Sequence, residues 1–161
     1  MNAKAPNPIT RVIALFDTIP YSLIAFIARF SIAAVFWKSG QTKVEGLAID
    51  LVNGTFQLGE PKLAASTLPL FRSEYHVPLL SPEVAAYLAA FAEHFFPVLI
   101  LVGLATRFSA LALIGMTLTI QLFVYPDAYP THGTWLALLL LLVAKGPGRL
   151  SIDQLIARRY R

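Results

Sequence analysis

The chain has 161 residues, of which 57% are hydrophobic and 14% charged, and its mean hydropathy is +0.64. Soluble domains of this size carry about a quarter charged residues, so the composition predicts a single membrane domain over residues 1–161. Because the chain has no cysteine, dithiol redox chemistry, thiolate metal sites and iron–sulfur clusters are excluded. The net charge of +4 does not indicate nucleic acid, since the basic residues flank apolar segments as they do at a membrane surface.

The first apolar segments predict a surface helix followed by a membrane span. Apolar residues recur at helical spacing over residues 9–16, which is typical of a short amphipathic helix at the interface. The first span covers approximately 21–39 and ends at Trp37 and Lys38, side chains that anchor a helix at the membrane boundary. Arg29 lies roughly 12 Å below Trp37 by helix rise, which places it near mid-membrane.

A long polar connection, residues 40–82, follows the first span. A loop of this length is typically functional or disordered. Helical spacing within it predicts a helix on the membrane surface, with apolar positions Val44, Leu47, Ala48 and Leu51.

The second span, approximately 83–104, contains two adjacent ionisable residues, Glu93 and His94, within an apolar run. It begins with Ser-Pro-Glu at residues 81–83, which combines an N-cap, a proline at the first helical position and an acid in the first turn. Glu93 lies about 16 Å along this helix, a depth that matches that of Arg29. Ionisable residues inside a membrane segment face other helices and are functional by default, so the two residues are predicted to form a polar layer.

The third predicted span, approximately 108–125, carries Thr117 and Gln121. These residues are four apart and share one face of the helix. The turn that follows is rich in proline and aromatic residues and contains Asp127 and His132. It is interpreted as a rigid loop at the membrane interface.

The fourth predicted span, approximately 131–147, is shorter than the roughly 20 residues that a membrane helix prefers. After it, Ser151 and Gln154 resemble a capping box that opens an amphipathic helix over residues 151–160, with Arg158 and Arg159 as interfacial anchors. The predicted fold class is therefore all-α: an integral membrane four-helix bundle with short interfacial amphipathic helices at both ends.

The distribution of basic residues predicts the orientation. More basic residues lie on one side of the predicted membrane than on the other. The residues on the more basic side are Lys4, Arg11, Arg107, Lys145, Arg149, Arg158, Arg159 and Arg161. The positive-inside rule places both termini in the cytoplasm and the 40–82 loop outside.

Short motifs are spread over the predicted spans. They are Arg29 with Trp37-Lys38-Ser39-Gly40 and Lys43, Glu93 with Gly103-Leu-Ala-Thr-Arg107, the pair Gly115-Met116, and the turn Tyr125-Pro-Asp-x-x-Pro-Thr-His132. In this combination the chain resembles the DoxX family over residues 21–156. The resemblance implies a small four-helix protein of the bacterial inner membrane, in a family named for a subunit associated with quinone-linked oxidation of sulfur compounds. It suggests a quinone as the cofactor and a redox protein as the partner.

Two interpretations of Arg29 and Glu93 stay open. In the functional one, they anchor a polar ligand or relay protons; in the structural one, they form a buried ion pair that fixes helix register and adds little net stability. His94 has the same alternatives. It is a hydrogen-bond donor or general acid and base, or a neutral histidine bonded to Thr117 or Gln121.

Asp127 and His132 are predicted to form an outer vestibule above Glu93, or else to cap a helix start. No metal site is predicted, because His76, His94 and His132 lie at different depths, whereas a closed site needs at least three convergent ligands.

Three functions are compatible with these residues, and the sequence shows no self-contained catalytic constellation. The first is a redox-associated subunit that holds a quinone-like or small polar ligand at the layer of Arg29, Glu93 and His94. The second is a proton-coupled transporter of a small solute or ion. The third is a non-catalytic accessory protein that docks a partner through its outer loop. A membrane protein partner and a homo-oligomer are both compatible with the sequence.

Overall fold

The computed structural model describes residues 7–50, 52–75 and 77–160. Predictions that involve Lys4, Leu51, His76 and Arg161 therefore lie outside the described residues. In chain order the elements are α1 (Pro8–Phe16), α2 (Tyr21–Gln41), β1 (Val44–Asp50), β2 (Thr55–Leu63), α3 (Thr67–Ser73), α4 (Pro82–Val102), α5 (Thr106–Phe123), a 3₁₀ turn (Pro126–Ala128), α6 (Tyr129–Lys145) and α7 (Ile152–Arg159).

The four long helices pack in a closed order, since α2 contacts α4 and α6, while α5 also contacts α4 and α6. Within the described residues, α2, α4 and α5 are long and apolar enough to cross a membrane. Helix α6 has 17 residues, and its role as a fourth span stays a prediction. The core between these helices is formed by small and branched apolar side chains such as Ala28, Ile32 and Leu113.

Helix ends follow the local sequence. The Ser81 and Ser151 side chains accept hydrogen bonds from the amides of Val84 and Gln154, each at 3.3 Å, so the two predicted helix starts have their caps. Helix α4 is followed by Gly103, whose φ of +73° favours glycine.

A side chain of α7, Asp153, caps the N-terminus of α5. Both oxygens of the Asp153 carboxylate are used, because they accept from the amides of Ala105 at 2.7 Å and Thr106 at 2.9 Å. A carboxylate at a helix N-terminus satisfies amides that have no partner within the helix. This contact fixes α7 beneath the turn between α4 and α5.

The all-α prediction is wrong between residues 44 and 63, where the chain forms an antiparallel hairpin of β1 and β2. The turn between β1 and β2 favours the hairpin, because the Asp50 carboxylate accepts hydrogen bonds from the amides of Val52 at 2.8 Å and Asn53 at 3.1 Å. Hydrogen bonds from Asn53 and Val52 also hold the pKa of Asp50 below its usual value. Gly54 adopts a φ of +65°, so the turn chemistry prevails over the helical spacing of the preceding apolar residues.

Side chains of α2 fasten the hairpin by its free edge. The Trp37 indole N–H donates to the Ile49 carbonyl at 3.0 Å, and the Ile49 amide donates to Gln41 Oε1 at 2.8 Å. We call the end of the long helices at which the hairpin lies the hairpin end. The opposite end, beside α1 and α7, is the terminal end.

Candidate functional site

Glu93 lies in the middle of α4 and is 2% exposed. Its Oε2 is 2.7 Å from Nζ of Lys43, and its Oε1 accepts a hydrogen bond from the Ser39 hydroxyl at 3.1 Å. The Lys43 ammonium also donates to Ser39 Oγ at 3.1 Å. These three side chains therefore form a buried, charge-neutral cluster at the hairpin end, where α2 meets α4.

The predicted layer of Arg29 and Glu93 is not what the structure contains. The Arg29 guanidinium donates to the carbonyls of Leu101 at 2.8 Å and Ile100 at 3.4 Å, and to that of Leu150. Because α2 and α4 run antiparallel, Arg29 meets the end of α4 whereas Ser39 meets Glu93. The two contacts lie ten residues apart on α2, which is about 15 Å of helix rise.

The physical reason is the axial offset between α2 and α4. Gly40 lies against Glu93 and His94, so the Cα of Arg29, eleven residues earlier on α2, is about 16 Å from the level of Glu93. The last carbonyls of a helix have no partner within that helix and carry the negative end of its dipole. The buried Arg29 (1% exposed) therefore binds the end of α4 instead of Glu93.

Lys43 replaces Arg29 as the cation beside Glu93. The sequence interpretation placed Lys43 in the polar connection and gave it no role of its own. Its spacing of four residues from Ser39 was the available signal, since residues four apart lie on the same helix face. Lys43 lies two residues after the end of α2, and its amide still donates to the Gly40 carbonyl at 2.9 Å.

The structural alternative predicted that His94 bonds Thr117 or Gln121. In the structure its hydrogen-bond partners are other groups. Its Nδ1 is 2.7 Å from the Ala90 carbonyl, which can only accept, so Nδ1 carries the proton. Its Nε2 is 2.9 Å from Gln41 Nε2 and accepts the amide hydrogen. His94 is therefore a neutral ring that holds Gln41, which in turn holds β1 through Ile49.

The third-span residues divide into two roles. The Thr117 hydroxyl is fully buried and donates to the Leu113 carbonyl at 2.7 Å. Gln121 donates through Nε2 to the Pro126 carbonyl at 2.6 Å, and its Oε1 is 2.7 Å from His132 Nδ1. Because the amide oxygen can only accept, His132 carries its proton on Nδ1 and its Nε2 is an acceptor.

A cavity of about 290 Å³ lies beside the cluster of Ser39, Lys43 and Glu93 and extends to His132. Its walls are mostly apolar, and the polar side chains among the described lining residues include Ser39, Lys43, Glu93, Tyr75, Tyr125 and His132. This volume is near the lower limit of small-molecule sites, about 300 Å³, and suits one ring-sized molecule. Of the two residues predicted to form a vestibule above Glu93, His132 lines the same cavity as Glu93, whereas the exposed Asp127 is not among its described lining residues. The buried Arg29 is not among them either.

Aromatic side chains form the rim of this cavity. The Tyr125 hydroxyl donates to the Glu74 carboxylate at 2.5 Å and lies 3.1 Å from the Tyr75 hydroxyl. Hydrogen bonding to Glu74, followed by the contact with Tyr75, raises the pKa of the Tyr125 phenol well above its usual value. The rim therefore joins the segment after α3 to the segment after α5.

The predicted interfacial anchors have different surroundings. Lys38 is exposed and Trp37 is half-buried against the hairpin. Arg158 and Arg159 are exposed in the last turn of α7. The structure is thus compatible with a bilayer around the long helices, and the anchoring role of each residue stays a prediction.

Together, the fold and the cavity define a helical membrane protein that holds a buried ion pair in a mostly apolar pocket. The model of the DoxX family matches residues 24–126, which is more than half of the chain, and the chain belongs to that family. Comparisons with curated proteins and with solved structures gave no match.

Proposed function

We propose that this DoxX family protein binds one quinone-like ring in the 290 Å³ cavity and acts as a redox-associated membrane subunit. One observation carries the proposal: the buried pair of Lys43 and Glu93 and the acceptor nitrogen of His132 belong to one apolar cavity. Apolar lining with a few fixed polar groups is the usual construction of a small-molecule site.

The polar groups match the two oxidation states of such a ring. The Lys43 ammonium is a donor for a ring carbonyl, while the Glu93 carboxylate and His132 Nε2 are acceptors for ring hydroxyls. Phe36 and Trp135 line the cavity with ring centroids 5.5 Å apart, and aromatic side chains favour stacking or edge contacts with a flat ligand. A bound quinone would supply reversible uptake of two electrons and two protons.

The electrons would have to be exchanged with another protein, because the chain has no cysteine with which to form a thiol redox centre. A redox membrane protein is therefore part of the proposal. We further propose that α6 is a fourth span, that the membrane is the bacterial inner membrane, and that both termini are cytoplasmic, as the basic residues near the terminal end favour.

Quenching of tryptophan fluorescence tests ligand binding. Trp135 lines the cavity, so a short-tail benzoquinone titrated into the purified Trp37→Phe protein should quench Trp135 saturably. Glu93→Gln should weaken binding about tenfold, the loss expected for one charge-assisted hydrogen bond. The matched control is Glu83→Gln, which changes an exposed carboxylate of the same helix that pairs with Arg72.

Two outcomes would contradict the proposal. One is quenching that does not saturate, and the other is equal affinity in the Lys43→Met/Glu93→Gln double variant. Should quinone fail to bind while liposomes show a proton-coupled flux that requires Glu93, the transport alternative would replace it.

A second candidate function, the docking of a membrane partner, is favoured by the hairpin. The cross-strand pairs Leu47 with Leu58 and Ile49 with Phe56 place four apolar side chains on one face. Phe56 is 66% exposed and Leu58 is 78% exposed. A partner that binds this face would cover them.

The test is co-purification from native membranes, with identification of the bound protein by mass spectrometry. We expect Phe56→Ser/Leu58→Ser to lose the partner, and Gln57→Ser, on the opposite face of the same strand, to keep it. A second copy of the chain as the only bound protein would indicate a homo-oligomer. A partner that both variants retain equally would exclude this surface.

A further inference from the structure

A second cavity, of about 900 Å³, lies on another flank of α2, between α2, α4 and the hairpin. Its α2 lining includes Ala34, Trp37 and Lys38, whereas the central cavity uses Phe36 and Ser39. Among the described lining residues, none belongs to both cavities. We call this second cavity the lateral groove, and it is independent of the proposed ring site.

The long axis of the lateral groove follows the membrane helices. On α2 its lining extends from Phe30 to Gln41, which is about 16 Å of helix rise. Phe30, Val98 and Leu101 line it and are also exposed, so it opens on the surface that the membrane-spanning helices present to hydrocarbon. Ala34 adds little side-chain volume there, which leaves a recess between α2 and α4. An acyl chain matches both its length and its polarity.

The hairpin end of the lateral groove includes polar side chains in its lining. Thr55 and Gln57 of β2 line it, whereas their neighbours Phe56 and Leu58 are not among its described lining residues. In β2 this is the alternation expected for the two faces of a strand, whereas β1 lines the groove with consecutive residues from Val44 to Asp50, Leu47 and Ile49 included. The hairpin therefore covers one end of the groove with both polar and apolar side chains.

Charges of both signs line this end. Lys38 is basic, Glu45 and Asp50 are acidic, and all three belong to the lining. The Lys38 and Asp50 charges are near enough to interact. A ligand with an anionic and a cationic group can satisfy both signs, whereas a purely anionic ligand would meet two carboxylates and one ammonium.

We propose that the lateral groove binds one zwitterionic glycerophospholipid of the surrounding bilayer. Its acyl chain lies along α2 and α4, its phosphate contacts Lys38, and its primary ammonium contacts Glu45 and Asp50. The bilayer supplies this molecule at high local concentration. The hairpin, fastened to α2 through Trp37 and Gln41, forms the wall that retains the headgroup.

Native mass spectrometry of the full chain, delipidated and then titrated with a single lipid, tests the acyl-chain contact. With phosphatidylethanolamine the wild-type protein should retain one molecule. Ala34→Phe fills the recess and should lower that retention about tenfold. The matched control is Ala137→Phe, which adds the same ring at an exposed position of α6 and should leave retention unchanged.

The headgroup contact is tested by lipid class and by charge reversal. Phosphatidylethanolamine should bind about tenfold more tightly than phosphatidylglycerol with the same chains, and Lys38→Glu should remove most of that affinity while Lys38→Arg keeps it. Equal retention by Ala34→Phe, or no preference between the two lipids, would indicate annular lipid only and overturn the proposal. Trp135 quenching by benzoquinone in Trp37→Phe/Ala34→Phe reports on the central cavity separately, so a failure of either site is distinguishable.

Discussion

Lys43→Met is expected to lower the free energy of unfolding by about 3–5 kcal/mol, the usual cost of removing one partner of a buried ion pair. Methionine preserves much of the side-chain length but cannot donate a hydrogen bond. Glu93 Oε2 would then lose its cation at 2.7 Å in a site that is almost closed to solvent. The Ser39 hydroxyl alone is left to stabilise the carboxylate. Unfolding of the purified protein in mixed micelles, followed by circular dichroism as denaturant is added, measures the change.

The double variant Lys43→Met/Glu93→Gln distinguishes a lost charge partner from lost packing. Glutamine at position 93 keeps the shape of glutamate and can still accept from Ser39, so we expect the double variant to recover most of the lost stability. As a control, Arg72→Met removes the cation of an exposed ion pair, which contributes about 0–1 kcal/mol. A double variant that is no more stable than Lys43→Met would contradict this account of the cluster.

Only one member of the buried ion pair could be predicted from the sequence. Glu93 was identifiable because a carboxylate within a long apolar run needs a compensating group. Its partner was not, because helix rise gives a depth only relative to the end of the same helix, and the axial offset between α2 and α4 is set by their packing. Arg29 and Lys43 both have long side chains, and only the antiparallel packing of α2 on α4 determines which of them reaches Glu93.

The fold shows a similar division. The long helices were predictable from apolar runs bounded by strong signals, such as Ser81 before Pro82 and Gly103 after α4. The hairpin does not follow from the helical spacing of the apolar residues, although Asn53-Gly54 is a dipeptide typical of hairpin turns. The hairpin also depends on contacts distant in sequence, since Trp37 and Gln41 bond Ile49, and local spacing does not contain that information.

Arg29→Met is expected to release the terminal end of the protein. Arg29 donates to carbonyls of both α4 and the segment before α7, and hydrogen bonds from a charged donor contribute about 1.5–3 kcal/mol each. Removing the buried charge recovers part of that loss, because the guanidinium no longer has to be desolvated. We expect a net loss of about 3 kcal/mol in the free energy of unfolding.

The position of the effect is as informative as its size. Without the hydrogen bond from Arg29 to the Leu150 carbonyl, the hydrogen bonds between the Asp153 carboxylate and the amides at the start of α5 should open more often. Hydrogen exchange should therefore increase in residues 146–159 and at the start of α5. Exchange at Ser39 and Glu93 should change little, because that cluster lies about 15 Å away along α2.

Two further variants identify the cause. Arg29→Lys keeps the charge but has a single donor group instead of a planar fork, so it should recover only part of the stability. Arg107→Met removes an exposed arginine that bonds only the Val143 carbonyl among its described hydrogen-bond partners, and should leave exchange in α7 unchanged. If Arg29→Met increased exchange around Glu93 as much as around α7, the two buried charges would belong to one coupled layer after all, and their separation into two sites would be wrong.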